Sequence, residues 1–534
     1  MMKDIASGLI VKNIDHCGIV AGIIDRIGLV EIINQEIGTD RLEEVSPGIA
    51  VKAMIIKGLG LTRFPSERFF VANATEHLLG EGVCPEHLND ERLGKVLDDL
   101  YEAGITQLFV KIALAVAKKE GLTDRLHLDL TSFHVDEEYI SEETCEAEEP
   151  VPIHITYGYS RESDPYLKQF IVDMMCSSDG DIPLYLRVGD RNDESDQEIF
   201  AQLIKEFKQN WPIDSLFVAD AALYCQENLN QINNLKWLSR VPASLKEVKK
   251  LVSQKNDEDL RESTTKGYRI ASVENNYAGI KQRWLIVESE AKKASDLKKL
   301  KKTLNSRKEK AIKELKGLNS KKFACVPDAE KAAQDFNKKL KSHKLNDIEI
   351  VYEPYSQSGR PKKGVNSEGY YYIKAKLEEK KEAIKAEELK TGRFVLATNV
   401  LEGEELSDDE ILEEYKKQQS TERGFRFLQD PIFFPDSVFL KTPERIAALA
   451  MVMGLCLLTY SLGQSVLRQA LAKSKKSIKN QLGKPTVTPT LRWVFQCFQS
   501  IHLLMMNEEK QISNLTEERR WILQFLGSSC EKYY

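Results

Sequence analysis

The spacing of apolar residues divides the 534-residue chain into segments of different secondary structure. Over residues 1–122, apolar side chains recur at helical spacing between Pro and Gly breaks, which predicts a helical N-terminal domain. Such domains often bind DNA, although a scaffold role is as common and no definite helix-turn-helix is visible. From Leu126 the pattern alternates, and the elements over residues 123–242 run several strands, helix, strand, helix, strand. That order predicts the first part of an α/β core.

A heavily charged segment interrupts this core. Over residues 243–391, strand-like pieces surround a helix predicted from about Ala291 to Leu318, which indicates an α+β insertion domain. Residues 392–465 return to a strand and helices and are predicted to complete the core. Residues 466–534 predict a helical C-terminal tail.

One apolar run, Ile446–Gly463, is barely long enough to span a membrane. It contains Thr459, Tyr460 and Ser461, so we expect a buried core helix and no membrane partner. No signal peptide is predicted at the N-terminus. The nine cysteines are scattered without a CxxC pair, which favours reduced thiols and predicts a cytoplasmic protein.

The charge balance excludes a wholly basic nucleic-acid coat but allows a local basic groove. Lys and Arg number 76 against 82 Asp and Glu, a net charge of -6. Two basic segments are candidates for phosphate contact, namely the predicted helix with Lys298, Lys299, Lys301 and Lys302, and the loop SGRPKKG with Arg360, Lys362 and Lys363. The helix lysines flank a heptad-like stripe of leucines, so a solvated coiled-coil face is the alternative.

Three carboxylates stand out by their position in predicted elements. Asp129 lies in the middle of the predicted strand Leu126–Val135, where Asp is rare and needs a backbone donor, a basic side chain or a metal ion. An exposed strand face is the alternative. Asp220 ends an apolar strand run, although it is also a good helix N-cap. Glu422 lies on a charged helix, where a solvated side chain is the common case.

Paired carboxylates suit metal-dependent phosphoryl transfer. Enzymes that cut and join DNA use acids to hold two divalent ions roughly 4 Å apart, one at the attacking and one at the leaving oxygen. Mg²⁺ prefers such oxygen ligands, so no Cys or His cluster is required. Asp129 and Asp220 would meet if their two strands are neighbours in one sheet.

The sequences around these acids resemble the DDE transposases of bacterial insertion sequences, whose catalytic core has the ribonuclease H-like fold. Asp129 in LHLDLTSFHVD, Asp220 in LFVADAALY and Glu422 in YKKQQSTERGFRFLQDP look like the acidic triad of that family. One group of the family carries a large insertion between the second Asp and the Glu. The charged segment 243–391 lies at the matching place.

In that group the Glu belongs to a Tyr-x2-Arg-x3-Glu-x6-Lys signature, and this chain departs from it at two positions. It keeps Tyr415 but has Gln418 in the place of the Arg and Gln429 in the place of the Lys. The resemblance implies that these positions hold DNA phosphates, and Gln lacks the charge-assisted part of such a contact. Arg426 on the same face, and Arg423 or Lys417 nearby, are candidates to replace the missing charges.

The resemblance implies an α/β fold with a ribonuclease H-like mixed sheet flanked by helices, an all-α N-terminal domain and an α+β insertion domain. It implies a transposase that cuts the ends of its own element and joins the 3′-OH ends to target DNA. Asp129, Asp220 and Glu422 would hold two Mg²⁺ or Mn²⁺ ions, double-stranded DNA is the expected partner, and a homodimer is the expected active form. Two alternatives stay open: a catalytically inactive DNA-binding or regulatory protein derived from a transposase, and a metal-dependent nuclease without strand transfer.

Overall fold

The computed structural model describes most of the chain, in two compact units. It covers residues 9–62, 65–122, 124–135, 156–157, 168–189, 196–211, 214–254, 257–354, 369–428, 442–506 and 509–534. The description is of the backbone alone at residues 129–135, 156–157, 168–171, 189, 196–200, 210, 254, 257 and 419–428. Unit 1 comprises Met1–Ser239 and Glu414–Tyr534, and unit 2 comprises Arg240–Glu413.

The helices and strands are numbered in chain order. The helices are α1 (Cys17–Ile27), α2 (Leu29–Ile37), α3 (Pro47–Gly58), α4 (Ser66–Ala72), α5 (Thr75–Leu79), α6 (Asp90–Glu102), α7 (Ile105–Glu120), α8 (Asp196–Asn210), α9 (Gln226–Gln231), α10 (Lys246–Gln254), α11 (Glu290–Ser320), α12 (Val326–Lys339), α13 (Lys381–Glu388), α14 (Asp408–Leu428), α15 (Pro443–Ser474), α16 (Leu491–Cys497), α17 (Glu517–Leu526) and α18 (Ser528–Glu531). The strands are β1 (Ile10–Asn13), β2 (Arg125–Val135), β3 (Thr156–Tyr157), β4 (Lys168–Ser177), β5 (Pro183–Gly189), β6 (Leu216–Ala219), β7 (Lys236–Arg240), β8 (Arg261–Glu262), β9 (Tyr268–Tyr277), β10 (Ile280–Ser289), β11 (His343–Pro354), β12 (Gly369–Glu379), β13 (Arg393–Thr398), β14 (Ile478–Lys479), β15 (Pro485–Thr486), β16 (His502–Met506) and β17 (Glu509–Ser513).

The main sheet of unit 1 has the strand order β5-β4-β2-β6-β7, and β3 also pairs with β4. β2, β4 and β5 pair antiparallel, whereas β6 and β7 run parallel to β2. The turn between β4 and β5 places Gly180 and Asp181 at positive φ (92° and 59°), a conformation that Gly adopts freely and Asp tolerates. The predicted α/β class is confirmed as a mixed α/β fold.

Helix α15 forms the centre of the helical part of unit 1. It packs against α1, α3, α6, α7 and β5, and its side chains are buried over most of its length. Gly454 allows a close approach to the sheet, since a Cβ atom there would lie 2.3 Å from Leu186 Cδ1 on β5. In the described part of the chain, α15 is the single helix long and apolar enough to cross a membrane, and 89% of its most apolar window is buried. This burial agrees with the predicted core helix.

The two ends of the chain meet in unit 1, which the sequence did not predict. β1 near the N-terminus pairs with β16, and β16 pairs with β17, so strands occur in segments predicted to be helical. The C-terminal Tyr534 lies against α1, where its hydroxyl donates to the Asp15 carbonyl at 2.6 Å. Gly22 makes room for this end, because a Cβ atom there would lie 2.5 Å from the Cys530 backbone.

Unit 2 contains a β-sheet and a second small core. Its antiparallel strands follow the order β13-β10-β9-β8, and Glu288 on β10 is held by Arg393 at 2.9 Å, by Lys293 at 3.1 Å and by Arg269. Burial raises the pKa of Glu288, but these three cations outweigh it and lower the pKa to about 2. The second core joins α11, α12 and the β11–β12 hairpin through Ala311, Leu315, Phe323, Ala329, Ala333, Phe336, Leu340, Leu345 and Ile373.

Candidate active site

Asp220 follows β6 directly and forms a tight turn. Its Oδ1 accepts a hydrogen bond from the Ala222 backbone N–H at 2.8 Å, the pattern of an Asx turn. Ser239 Oγ donates to the Asp220 carbonyl at 2.6 Å and connects the ends of β6 and β7. The alternative role of Asp220 as a helix N-cap is wrong, because α9 begins only at Gln226 and is capped by Cys225.

The pairing of β2 with β6 sets the level of the two aspartates. The strands are parallel in the register Arg125↔Leu216, Leu126↔Phe217 and His127↔Val218. Asp129 comes two residues after the last pair and lies within β2, whereas Asp220 comes two residues after it and directly follows the end of β6. On its other side Asp129 pairs with Met174 of β4. The Asp129 side chain lies outside the described residues.

A buried carboxylate, Glu414, attaches α14 to this part of the sheet. It is only 1% exposed. Its Oε1 accepts from Arg125 Nη1 at 3.0 Å and from Lys417 Nζ at 2.7 Å. Its Oε2 accepts from Ser178 Oγ at 2.8 Å and lies 3.5 Å from His127 Nε2. The carboxylate thus joins α14 to the start of β2 and to the residue that follows β4.

The charge of Glu414 is stabilised despite its burial. Burial raises the pKa of this carboxyl, but the contacts with His127, Lys417, Ser178 and Arg125 outweigh it and hold the pKa well below its ordinary value. Glu414 is therefore ionised at neutral pH. Sequence reasoning missed it, and the available signal was weak: an acid between the apolar residues Ile411 and Leu412 and the later turns of the same helix.

The other predicted residues of α14 are described to different extents. Tyr415 is half-buried, and Gln418 is only 8% exposed. Glu422, Arg423 and Arg426 have helical backbone, and their side chains lie outside the described residues, as does the whole of Gln429. Convergence of Glu422 on the two aspartates and phosphate contact by these side chains therefore stay predictions.

The predicted basic helix forms as α11, with its lysines outward. Lys298, Lys299, Lys301 and Lys302 are exposed, and none of them forms an ion pair with a residue that the structure describes. The leucine stripe of the same helix is half-buried or buried. The loop residues Arg360, Lys362 and Lys363 lie outside the described residues.

Only part of the predicted metal-ligand set lies among the described side chains. Among the side chains described, no group of three His, Cys, Asp or Glu residues is placed to hold a metal ion. Two of the three predicted ligands, Asp129 and Glu422, are not among those side chains. Asp220 itself fits a hard cation, since its carboxylate forms no ion pair within the described part and receives a single backbone hydrogen bond.

Comparison with known proteins gives a family match and a distant structural likeness. Residues 9–114 match the family described as "Domain of unknown function (DUF4277)". No curated protein matches the chain. Among solved structures, the chain is similar to the cryo-EM structure of piggyBac transposase synaptic complex with hairpin DNA (SNHP), with a TM-score of 0.36 and 9% sequence identity. That similarity covers 91% of this chain and 79% of the other.

Proposed function

We propose that the chain is a DNA transposase whose catalytic core is a ribonuclease H-like sheet. The observation that carries the proposal is the parallel pairing of β2 and β6, because Asp129 and Asp220 each come two residues after the last pair, His127 with Val218. The order of the five strands supports it: three antiparallel strands, with two further strands parallel to the first. Carboxylates brought close together by neighbouring elements can hold the two metal ions of such a phosphoryl transfer.

In this proposal each acid has a role at the reacting phosphate. Strand alternation gives Asp129 the same face of β2 as His127 and Arg125, the face that Glu414 of α14 contacts. Glu422 lies two turns further along α14 and completes the ligand set with Asp129 and Asp220. Bound Mg²⁺ or Mn²⁺ would supply activation of the attacking oxygen and charge stabilisation at the leaving oxygen.

The remaining predicted residues would hold DNA. Lys298, Lys299, Lys301 and Lys302 offer exposed charges for backbone phosphates, which position a duplex without reading its sequence. Tyr415 and Arg426 would act closer to the reacting bond. The two ends of an element must be held together for transposition, so the proposed active form is a homodimer on double-stranded DNA.

The proposal is tested by incubating the purified protein with Mg²⁺ or Mn²⁺ and the DNA that flanks its gene. The expected result is cleavage at the element ends followed by joining to target DNA. Asp129→Asn, Asp220→Asn and Glu422→Gln should each reduce both steps by at least ~10³-fold, since each removes a charge that holds an ion. Wild-type activity in any one of these variants would remove that residue from the site. Cleavage without joining would favour the nuclease alternative, and DNA binding without either step would favour the non-catalytic one.

A further inference from the structure

The sequence from Arg445 to Asn507 contains no Asp or Glu, although the whole chain is acidic. Its lysines gather in the last turn of α15 and in the residues that follow, where five of them are exposed. This C-terminal lysine patch comprises Lys473, Lys475, Lys476, Lys479 and Lys484.

Backbone hydrogen bonds fix the patch to the rest of unit 1. Lys475 ends α15 in the left-handed conformation (φ 53°). Its N–H donates to the Ala472 carbonyl at 3.1 Å, and the Lys476 N–H donates to the Leu471 carbonyl at 3.0 Å. The short β14–β15 hairpin follows, and Trp493 Nε1 donates to the Lys479 carbonyl at 2.8 Å. The lysines therefore project from an ordered turn and hairpin.

Few carboxylates offset the patch. Within the described part of the chain, its one ion pair joins Lys479 Nζ to Glu518 at 3.5 Å, and both side chains are more than half exposed at 68% and 60%. Lys475 adds a second indication. The left-handed position at a helix end favours glycine, because a side chain there is strained, yet this chain places a lysine there. A charged side chain at this strained position is consistent with a role in binding.

We propose that the C-terminal lysine patch binds the phosphate backbone of double-stranded DNA. DNA presents a dense row of negative charges, and exposed lysines with few carboxylate partners gain affinity for it by releasing the counterions of the DNA. An anionic membrane is the less favoured partner, because the hairpin offers a single strongly exposed apolar side chain, Leu482 at 79%, and stable membrane binding needs a larger apolar face. The choice of DNA as the polyanion rests on the proposed function.

The test measures binding of the full-length protein to a duplex in EDTA over a range of salt concentrations. In the patch variant, Lys473, Lys475, Lys476 and Lys479 are all replaced by Gln. A matched control replaces Lys331, Lys338, Lys339 and Lys341, four exposed lysines on and after α12, by Gln. The patch variant should lose at least ~10-fold in affinity at low salt, and the slope of log K against log salt should fall by about 2 to 4. The control should stay within about 2-fold of the wild type. Equal losses in the two variants, or no loss in the patch variant, would overturn the proposal.

A single substitution separates charge from folding. Lys475→Gly relieves the left-handed strain, so its melting temperature should equal or exceed that of the wild type, while the salt slope falls by about 1. An unchanged salt slope in Lys475→Gly would contradict DNA binding by the patch, even if the variant with four substitutions failed to fold.

The same preparations distinguish this proposal from the proposed function. If the wild-type protein binds DNA through the patch but neither cuts nor joins it in Mg²⁺, the transposase assignment is contradicted and the patch proposal stands. A patch variant that cleaves DNA fully and keeps the wild-type affinity and salt slope would overturn the patch proposal and leave the transposase assignment intact. Co-sedimentation with anionic vesicles in place of DNA binding would reassign the surface to a membrane and overturn the proposal.

Discussion

The Glu414 carboxylate joins three elements of unit 1 at one buried point. Arg125 and His127 belong to β2, Ser178 follows β4, and Lys417 lies one turn further along α14. A buried carboxylate with several partners contributes little net stability by itself, but removing it leaves its partners without a counter-charge. The contact therefore fixes the position of α14, which carries Glu422, relative to β2, which carries Asp129.

Glu414→Ala should lower the free energy of unfolding by about 3 kcal/mol, because Arg125 and Ser178 lose a buried acceptor. Glu414→Gln keeps the volume and should cost less, about 1 to 2 kcal/mol. Urea unfolding followed by circular dichroism measures both. The control is Glu413→Gln, an exposed neighbour on the same helix that should stay within ~0.5 kcal/mol of the wild type. Similar small effects at the two positions would show that the buried contact does not hold the helix.

The pH dependence of stability separates the charge of Glu414 from its packing. Because folding lowers its pKa, the ionised carboxyl contributes stability that is fully present above its ordinary pKa of about 4.3. That contribution is lost as the pH falls through the lower pKa of the folded protein. Glu414→Gln lacks the titrating group and should lose less stability than the wild type below about pH 4. Identical acid unfolding curves would contradict the lowered pKa.

Sequence reasoning at the residue scale found Asp220 but not Glu414. The end of the apolar run Leu216–Ala219 shows in the sequence, so Asp220 could be placed after a strand. The turn at Asp220 could not be predicted, because an Asx turn and a helix N-cap use the same side-chain hydrogen bond with different backbone conformations. Burial of Glu414 depends on contacts with Arg125, His127 and Ser178. The nearest of these in sequence, Ser178, is 236 residues away, so local sequence does not show the contact.

At the scale of elements, periodicity located most helices and strands, and close packing decided their limits. The sequence predicted a core helix over 446–463 and a separate helical tail from residue 466. The structure has one helix, Pro443–Ser474, that continues through Gly463. This glycine is kept inside the helix by packing, since a Cβ atom there would lie 2.3 Å from Ile23 Cδ1 on α1. Local sequence shows a glycine as a break, whereas the contact with α1 is visible only in the fold.

Gly454→Ala tests how closely α15 packs on β5. Alanine favours a helix over glycine by about 1 kcal/mol, yet the added methyl group would overlap Leu186, so the net effect should be a loss of about 1 to 2 kcal/mol. Gly317→Ala on α11 is the matched control, because no atom lies within 4 Å of its Cβ position. That variant should gain roughly 0.5 to 1 kcal/mol. Thermal unfolding of the two proteins should therefore shift in opposite directions, and a gain at Gly454 would mean that the two elements pack more loosely.

At the scale of the whole molecule, the first and last segments of the chain form one packed structure. Asp25 on α1 accepts from Lys52 Nζ at 2.7 Å and from the Tyr533 hydroxyl at 2.5 Å, and Lys52 also donates to that hydroxyl at 2.9 Å. Lys52 is only 4% exposed, so this polar group lies inside the unit. The partners Asp25 and Tyr533 are 508 residues apart. No periodic pattern or local motif reports a contact of that range, which is why the tail was predicted as a separate segment.

Tyr533→Phe should lower the free energy of unfolding by about 1 to 2 kcal/mol, because the buried Lys52 and Asp25 each lose a hydrogen-bond partner. Deleting Tyr533 and Tyr534 should cost more, since the Tyr534 hydroxyl also accepts from the Ile19 N–H at 3.1 Å, and the Tyr534 ring and Tyr533 Cβ lie against Gly18. Hydrogen exchange should then accelerate at the amides of α1 before it does in the strands of unit 2.

Tyr352→Phe serves as the control for loss of a hydroxyl. Tyr352 is 48% exposed, so removal of its hydroxyl should change stability by less than ~0.5 kcal/mol. Unchanged exchange in α1 after the deletion would show that the helix holds its place without the C-terminus, and the two ends of the chain would then be independent in stability.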